Sequence, residues 1–522
     1  MRFAATWFFL PFTLLAQQQP FDLVISGAKV VDGAGNPYFY ADIGVRGDSI
    51  VALGLLGNHP ARTRIDARGL TVTPGFIDTH NHSDRDIFNE PTAKAFLYQG
   101  VTTLIGAPDG SSPIPLKPAM DKLRALRMSV NMALCVGHGS VRRAVLNMEN
   151  RAPTAAELDK MREITRQAML DGAIGLSTGL FYTPANFAKT EEVIEIAKVV
   201  GQYGGFHVSH IRDEGNFIID SVKETIRIGE EGGLPTQVTH HKIGGKANYG
   251  KSADTLRLID EARARGVDAT VDQYPYTASH TSLGAAMLPQ WAFGGGTSAL
   301  KERLGAPEQR ARIKTEIVRR IENERGGGDP KNIVLTNCSF DRSLERKSLS
   351  AILAERGKQP TMDNAAELVM EIQGKGGCSA VFHWIHEEDI ERILKYPWTM
   401  VASDGSLTMA HPRSYGTFAR VLARYVRERK VIPFEDAIRK MSGLPAQRTR
   451  IYDRGIIRVG MKADLVILDP DKVEDKATFE KPGELAVGVR DVIVNGKIAL
   501  QNGKVTEERP GRLIYGPGYA AQ

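Results

Sequence analysis

Apolar and polar positions change their rhythm twice along the chain. Near the start, "FDLVISGAKVVDGAG" and "ADIGVRGDSIVALG" alternate, with Gly and Asp breaks, and "GMKADLVILDP" and "VGVRDVIVNGKIAL" do the same near the end. Such alternation between turn residues predicts short strands. Because chain ends often lie close together, residues 21–73 and 451–515 are expected to build one small β-sandwich. Between them, apolar strand-like runs are separated by helical stretches such as "TAAELDKMREITRQAML" and "TEEVIEIAKVVGQYG". Strictly alternating strand and helix signals call for a parallel sheet covered by helices. Eight such strands begin near residues 72, 101, 131, 173, 205, 236, 267 and 399. Eight closes a barrel, here over residues 74–450, with its active site at the strand C-termini. The expected fold class is therefore α/β: a (β/α)8 TIM-type barrel with a small β-sandwich domain built from both chain ends. An insertion over about 283–375 separates barrel strands seven and eight. Its charged helical stretch, "GGGDP" break and strand-like "KNIVLTNC" are too much for a loop.

The polar residues collect at the predicted strand ends. Strand one ends in "DTHNH", with His80 and His82; strand two is followed by Asp109; strand three ends at His138 and strand four near Tyr182. The fifth carries His207, His210 and Arg212, and the sixth His240, His241 and Lys242. Strand seven carries Asp272, Tyr274, Tyr276 and Ser279, and strand eight Asp404. On a strand, residues two apart share a side, so His80 and His82 should emerge together. A lone strand-end histidine is more often a hydrogen-bonded structural group than a ligand. Histidines and carboxylates capping at least five converging strands are another matter, since buried charge without partners is costly. That convergence predicts a metal site. Imidazole with carboxylate suits Zn2+, with Co2+, Mn2+, Ni2+ and Fe2+ also open. Asp404, on the last strand, is placed for general acid–base work on a metal-activated water. His138 and His241 fit structural or orienting roles better, and His207 is expected deeper in the barrel.

Composition narrows the class. The chain has 522 residues, 42% hydrophobic and 25% charged, which is globular. A formal charge of +6 spread without Lys/Arg blocks does not point to nucleic acid. The opening "MRFAATWFFLPFTLLAQQQ" reads as a signal peptide, residues 1–16, cleaved after Ala16. Its apolar core is too short to span a bilayer, and no Cys follows for lipid attachment, so the mature form is expected to be secreted or periplasmic without a membrane anchor. Three cysteines, Cys135, Cys338 and Cys378, do not make a disulfide scaffold but allow one pair.

The motifs "PGFIDTHNHSD", "GVTT", "VGHGSVR", "GLFYTP", "HIRDEG", "THHKIGG", "ASDG" and "HPRSYGTF", in this order, resemble the amidohydrolase superfamily and within it the N-acyl-D-amino-acid deacylase (D-aminoacylase) family. The resemblance spans about residues 21–505. It implies zinc at the barrel mouth, held tightly by His210 and His240, with His80, His82 and Asp404 lining a second, often weaker position. It also implies Asp404 as catalytic base and Arg413, Lys242, Tyr182 and Ser279 around the substrate. Arg413 would clamp a substrate carboxylate through paired hydrogen bonds, and Tyr182 would donate to the oxyanion. The fourth strand, "GAIGLSTGL", lacks the lysine that cyclic-amide hydrolases of the superfamily use. One departure stands out. The family commonly has a zinc-binding Cys in "GNCG" after strand two, whereas this chain reads "GAPDG", with Asp109 in that place. A carboxylate has two oxygens to share, so Asp109 is expected to join a metal on His80, His82 and Asp404 to one on His210 and His240.

The resemblance implies hydrolysis of a linear C–N amide, namely deacylation of an N-acyl-D-amino acid to a free D-amino acid and a carboxylic acid. The expected partner is a small molecule with an amide and a carboxylate. Two other readings stand beside it: a cyclic amidase or D-/isopeptide-type dipeptidase on the same scaffold, and a barrel that binds without catalysis. One or two metal ions, the acyl and side-chain preference and the oligomeric state are left open by the residues alone.

Overall fold

The computed structural model describes residues 19–520. The expected signal peptide, residues 1–16, lies outside them. Eight parallel strands form the barrel: Phe76–Asp78, Val101–Gly106, Asn131–Leu134 with its continuation Val136–Gly137, Gly175–Gly179, Phe206–His210, Thr236–Val238, Ala269–Gln273 and Thr399–Val401. Their pairing follows chain order, and strand eight lies beside strand seven. Helices alternate with them. Ala155–Leu170 starts on a reciprocal cap in which Thr154 Oγ1 accepts from Glu157 N and the Glu157 carboxylate accepts from Thr154 N. It turns Met161, Thr165, Ala168 and Met169 inward.

The first strand is shorter than its apolar run suggests. Residues Thr71–Pro74 belong to the β domain, pairing with strands Phe21–Val30 and Leu465–Leu468. The barrel strand ends at Asp78, so His80 and His82 stand just beyond it and not on it. They converge because of how the barrel closes. His82 N donates to Gly405 O at 2.7 Å and Asp404 N to His80 O at 3.0 Å, stitching the segment after strand one to that after strand eight. Beneath this seam the buried Asp78 carboxylate accepts from Ser403 N at 2.9 Å, Ser403 Oγ at 2.5 Å and Asn81 Nδ2 at 2.9 Å. Burial pushes Asp78 up to about 6 despite those bonds.

The chain ends meet as expected, in one continuous nine-stranded sheet around a separate apolar core that includes Ile25, Ile43, Val45, Ile65, Leu465 and Ile493. The last stretch departs from the sandwich. Gly511 N donates to Met128 O, Met132 N to Arg512 O and Ile514 N to Met132 O, so residues 511–514 run along the third barrel strand. The insertion is also wider than 283–375. Strands Ala278–Ser282 and Ser379–His383 pair with each other, and Ile333–Thr336 joins on the far side of the latter. Ala278–Ser282 and Ser379–His383 lie beyond the expected bounds; "ASHTS" has no apolar run to mark it, and pairing, not propensity, makes it a strand. Cys338 and Cys378 form a disulfide, and Cys135 is free and buried. No helix among the described residues is long and apolar enough to cross a membrane.

The disulfide closes a separation of 40 residues inside the insertion. A loop of that length gives roughly 4 kcal/mol in the chain-entropy model. Cys378→Ser should therefore make the insertion, and not the barrel, the first part to be cut in limited proteolysis; an unchanged cleavage pattern would contradict this.

Candidate metal and substrate site

Three residues of the site sit in left-handed backbone: Asp109 at φ 54°, His240 at φ 37° and Asp404 at φ 49°. Such conformations are costly for non-glycine residues and persist where the surroundings enforce them. For Asp109 the enforcement is visible. A Cβ on Gly179 would stand 2.1 Å from Asp109 O, and Gly110 takes φ 71°, so the loop after strand two lies flat on strand four. For His240 it is Asp272 on strand seven, whose Oδ1 accepts from His240 N at 2.5 Å.

These constraints aim four imidazoles and two carboxylates at one place. Asp109 Oδ1 lies 3.4 Å from His80 Nε2, 3.5 Å from His210 Nδ1 and 3.6 Å from His240 Nε2. Asp109 Oδ2 lies 3.6 Å from His82 Nε2. Asp404 Oδ1 faces His80 Nε2 at 3.4 Å and His82 Nε2 at 3.1 Å. His210 Nδ1 and His240 Nε2 are 2.7 Å apart. Two ligand groups result, His80–His82–Asp109–Asp404 and Asp109–His210–His240, with Asp109 common to both. The residues fit a metal. His80 Nε2 and Asp109 Oδ1 are buried, point at each other and have no hydrogen-bond partner, a state that a shared cation relieves. Electrostatics agree. Burial raises Asp109, but the neighbouring His80 and His210 outweigh it and hold the carboxyl well below its usual range. Burial and the Lys242 charge lower His240, yet Asp404, Asp109 and Glu214 hold it up at about 9. The cluster is therefore rich enough in negative charge to retain a proton wherever no metal displaces it.

Hydrogen bonds behind the ligands fix their orientation. Thr239 Oγ1 donates to Asp272 Oδ2 at 2.7 Å and so accepts from His80 Nδ1 at 2.7 Å, leaving His80 Nε2 as a lone pair toward the site. His240 Nδ1 faces Glu214 Oε1 at 3.2 Å, and Glu214 also binds the Lys242 ammonium and, through Oε2 at 3.2 Å, Arg325 Nη2. Arg325 comes from the insertion and lies 4.0 Å over the Trp384 ring.

A cavity of about 240 Å3 opens beside the ligands, bordered by Tyr182, Lys242, Tyr274, Ser279, Arg325 and Arg413. All four substrate-side residues expected from the sequence reach it. Arg413 is buried, with Nη1 2.8 Å from Asp404 Oδ2 and Nη2 donating to His280 O at 3.3 Å. Tyr182 shares a hydrogen bond with Thr281 Oγ1 at 3.0 Å, and burial, with the Asp109 charge, raises its phenol well above the ordinary value. Ser279 Oγ accepts from Trp384 Nε1 at 2.9 Å. Burial lowers Lys242, although Glu214 opposes it. Burial raises Asp404, but the Arg413 and His240 charges hold its carboxyl well below the usual range.

The other strand-end histidines of the sequence reading leave the site. His138 Nε2 pairs with Glu192 at 3.0 Å. His207 lies between Thr178 and Thr236 hydroxyls and His241 against Thr255, and burial drives both to about 3, hence neutral. Sequence reasoning gave no role to Glu214, Thr239 or Arg325. The "HIRDEG" run offered Glu214 four residues after His210, and Thr239 directly precedes His240; nothing in the sequence marked Arg325.

A barrel whose first, second, fifth, sixth and eighth strand ends meet in such a cluster defines a metal-dependent amidohydrolase. The Amidohydrolase family model matches residues 63–500, and the chain belongs to this family, in its D-aminoacylase branch. It is 37% identical to D-aminoacylase of Alcaligenes xylosoxydans xylosoxydans over 96% of this chain and 98% of that one. A D-aminoacylase structure described for its binuclear metal centre superimposes with TM-score 0.81 and 35% identity, covering 95% of this chain and all of the other. N-acyl-D-glutamate deacylase from Bordetella bronchiseptica, complexed with zinc and a phosphonate mimic of the tetrahedral intermediate, gives TM-score 0.82 and 32% identity over 95% of this chain and 100% of that chain.

Two predictions follow from the geometry. Thr239→Val removes the hydroxyl between Asp272 and His80 and should weaken metal affinity roughly 10–100-fold, the usual effect of losing such a partner, while Thr239→Ser retains it; competition with a zinc chelator reads both. Asp109→Ala should lower the metal bound by both ligand groups, as metal analysis of the dialysed protein would show. Full occupancy in that variant would leave Asp109 as a turn residue.

Proposed function

We propose that the protein is a zinc-dependent hydrolase that deacylates N-acyl-D-amino acids to a free D-amino acid and a carboxylic acid. The observation that carries this reading is a single cavity with Asp404 between the ligand imidazoles and the Arg413 guanidinium, and with a second cation, Lys242, on the same wall. His80, His82, Asp109, Asp404, His210 and His240 would hold one or two zinc ions. The oxygen donor at Asp109 also tolerates Co2+, Mn2+, Ni2+ or Fe2+. Bound zinc would supply Lewis acidity there, which lowers the pKa of water to about 7.

The chain's own residues supply the rest. Asp404, held ionised by Arg413 and His240, takes the proton from the attacking water. As the C–N bond breaks, it passes that proton to the departing nitrogen, which leaves as the free amine. Tyr182 keeps its proton because burial raises its pKa, so its O–H can donate, which suits an oxyanion. Arg413 binds Asp404 through Nη1 and His280 O through Nη2, and its Nε has no partner. Donors are therefore left for a substrate carboxylate, which Lys242 can share. Ser279 lines the wall, its hydroxyl proton free to turn to substrate. Export fits the same reading, because a disulfide such as Cys338–Cys378 persists in oxidising compartments.

The test is a panel of N-acyl-D- and N-acyl-L-amino acids with purified protein and added Zn2+. Release of free amine from the D series, abolished by chelator and restored by zinc, is expected; turnover confined to cyclic amides would overturn the reading. Arg413→Ala should raise KM for carboxylate-bearing substrates by about tenfold or more, with less effect on matched compounds lacking the carboxylate. It should also move the acidic limb of kcat/KM to higher pH. The guanidinium holds Asp404 low in pKa, so removing it raises the pH below which Asp404 is protonated and idle as a base. An unmoved limb would separate Arg413 from the base.

A further inference from the structure

The cavity at the metal cluster continues past Asp109 into a second space of about 440 Å3, and the two share His82, Asp109, Tyr182 and Thr281. On the deacylase reading, Lys242 and Arg413 draw the amino-acid half of the substrate into the first cavity. The acyl half must then leave the scissile carbonyl on the other side, into the second. We propose that this second cavity is an acyl subsite for a short chain ending in an anion, such as a succinyl or glutaryl group, whose carboxylate meets Arg85 and Arg143; this rests on the deacylase reading.

The walls carry the argument. Both arginines border the cavity and are exposed. Neither has an ion-pair partner among the described residues. Arg143 is tethered only through Nη2 to Thr183 O at 3.3 Å, and Asp84 feels the Arg85 charge without forming a contact. The one acid on the wall is Asp109, whose charge is committed to the ligand cluster. Gly110, Gly139 and Gly179 present bare backbone, and Ser111 and Ser140 add hydroxyls. Apart from the glycines, only Pro184 and Ala185 on this wall lack a polar side-chain atom, so the apolar surface is broken up among polar groups. A long fatty chain would find little to bury against, whereas a terminal carboxylate would meet two guanidinium forks. Because both arginines keep contact with water, the preference is modest and depends on salt.

The test compares one D-amino acid carrying either N-succinyl or its neutral isostere N-succinamoyl. With the zinc-loaded protein, kcat/KM should favour succinyl by about tenfold at low ionic strength, narrowing as salt is added. In the double variant Arg85→Gln/Arg143→Gln the ratio between the two compounds should fall to near one, the neutral compound reporting any general loss. Equal values in the wild type, or a ratio untouched by the double variant, would overturn the proposal. Calorimetric binding of both compounds to zinc-loaded Asp404→Asn protein decides the matter without turnover. If the wild type cleaves neither, the deacylase reading fails, and the subsite stands only if succinyl still binds more tightly and loses that advantage in the double variant.

Discussion

One carboxylate oxygen sets the terms for the barrel mouth. Asp109 Oδ1 faces three imidazole nitrogens at 3.4–3.6 Å, from strand ends one, five and six. Among the described residues no hydrogen bond satisfies that oxygen. A buried carboxylate without hydrogen bonds is costly, so the surroundings have to hold it in place. The flat contact between Gly179 and the Asp109 backbone does so from below, and the seam between His80 and Asp404 does so from the side. The left-handed backbone at Asp109, His240 and Asp404 is the local cost of the same requirement.

The parts of this design differ in how far the sequence discloses them. Eight strands and their helices were legible because apolar runs and amphipathic stretches recur with the right period. The candidate ligands were legible because histidines and carboxylates clustered at strand ends, where a barrel converges them. What stayed hidden is what pairing and tertiary contact decide. "ASHTS" became a strand through its partner Ser379–His383. The apolar run before His80 split between two domains because Thr71–Pro74 found partners in the β sheet. Arg325 reached the site only because the insertion folds back over the mouth, and spacing along the chain carries no trace of that.

Glu214 shows why such hidden residues matter. Its carboxylate meets His240 Nδ1 on the side away from the ligand cluster, binds Lys242 on the substrate wall and accepts from Arg325 of the insertion. Burial raises this carboxyl, but the Lys242 and His210 charges hold it well below its usual value, so it stays ionised. A charged carboxylate behind a ligand imidazole fixes the ring and strengthens it as a donor. The same group places the Lys242 ammonium on the cavity wall. Ligand geometry and the substrate wall are therefore not independent.

The insertion's part in specificity follows from where its contacts fall. The barrel provides every candidate ligand, while Ser279, Thr281, Trp384 and Arg325 come from the segment between strands seven and eight. The chemistry of hydrolysis needs the ligands held within fractions of an ångström, which a closed sheet does well. Recognition of one side chain over another needs walls that can change without disturbing that sheet. Placing Ser279 and Thr281 on an inserted three-stranded sheet separates that part of the wall from the ligands. The Glu214–Arg325 contact ties the insertion back to the ligand cluster, so a replacement at Arg325 would reach His240 as well as the cavity. By contrast, Ser279 and Thr281 touch no ligand carboxylate, so a replacement there would change the wall without moving the ligand cluster.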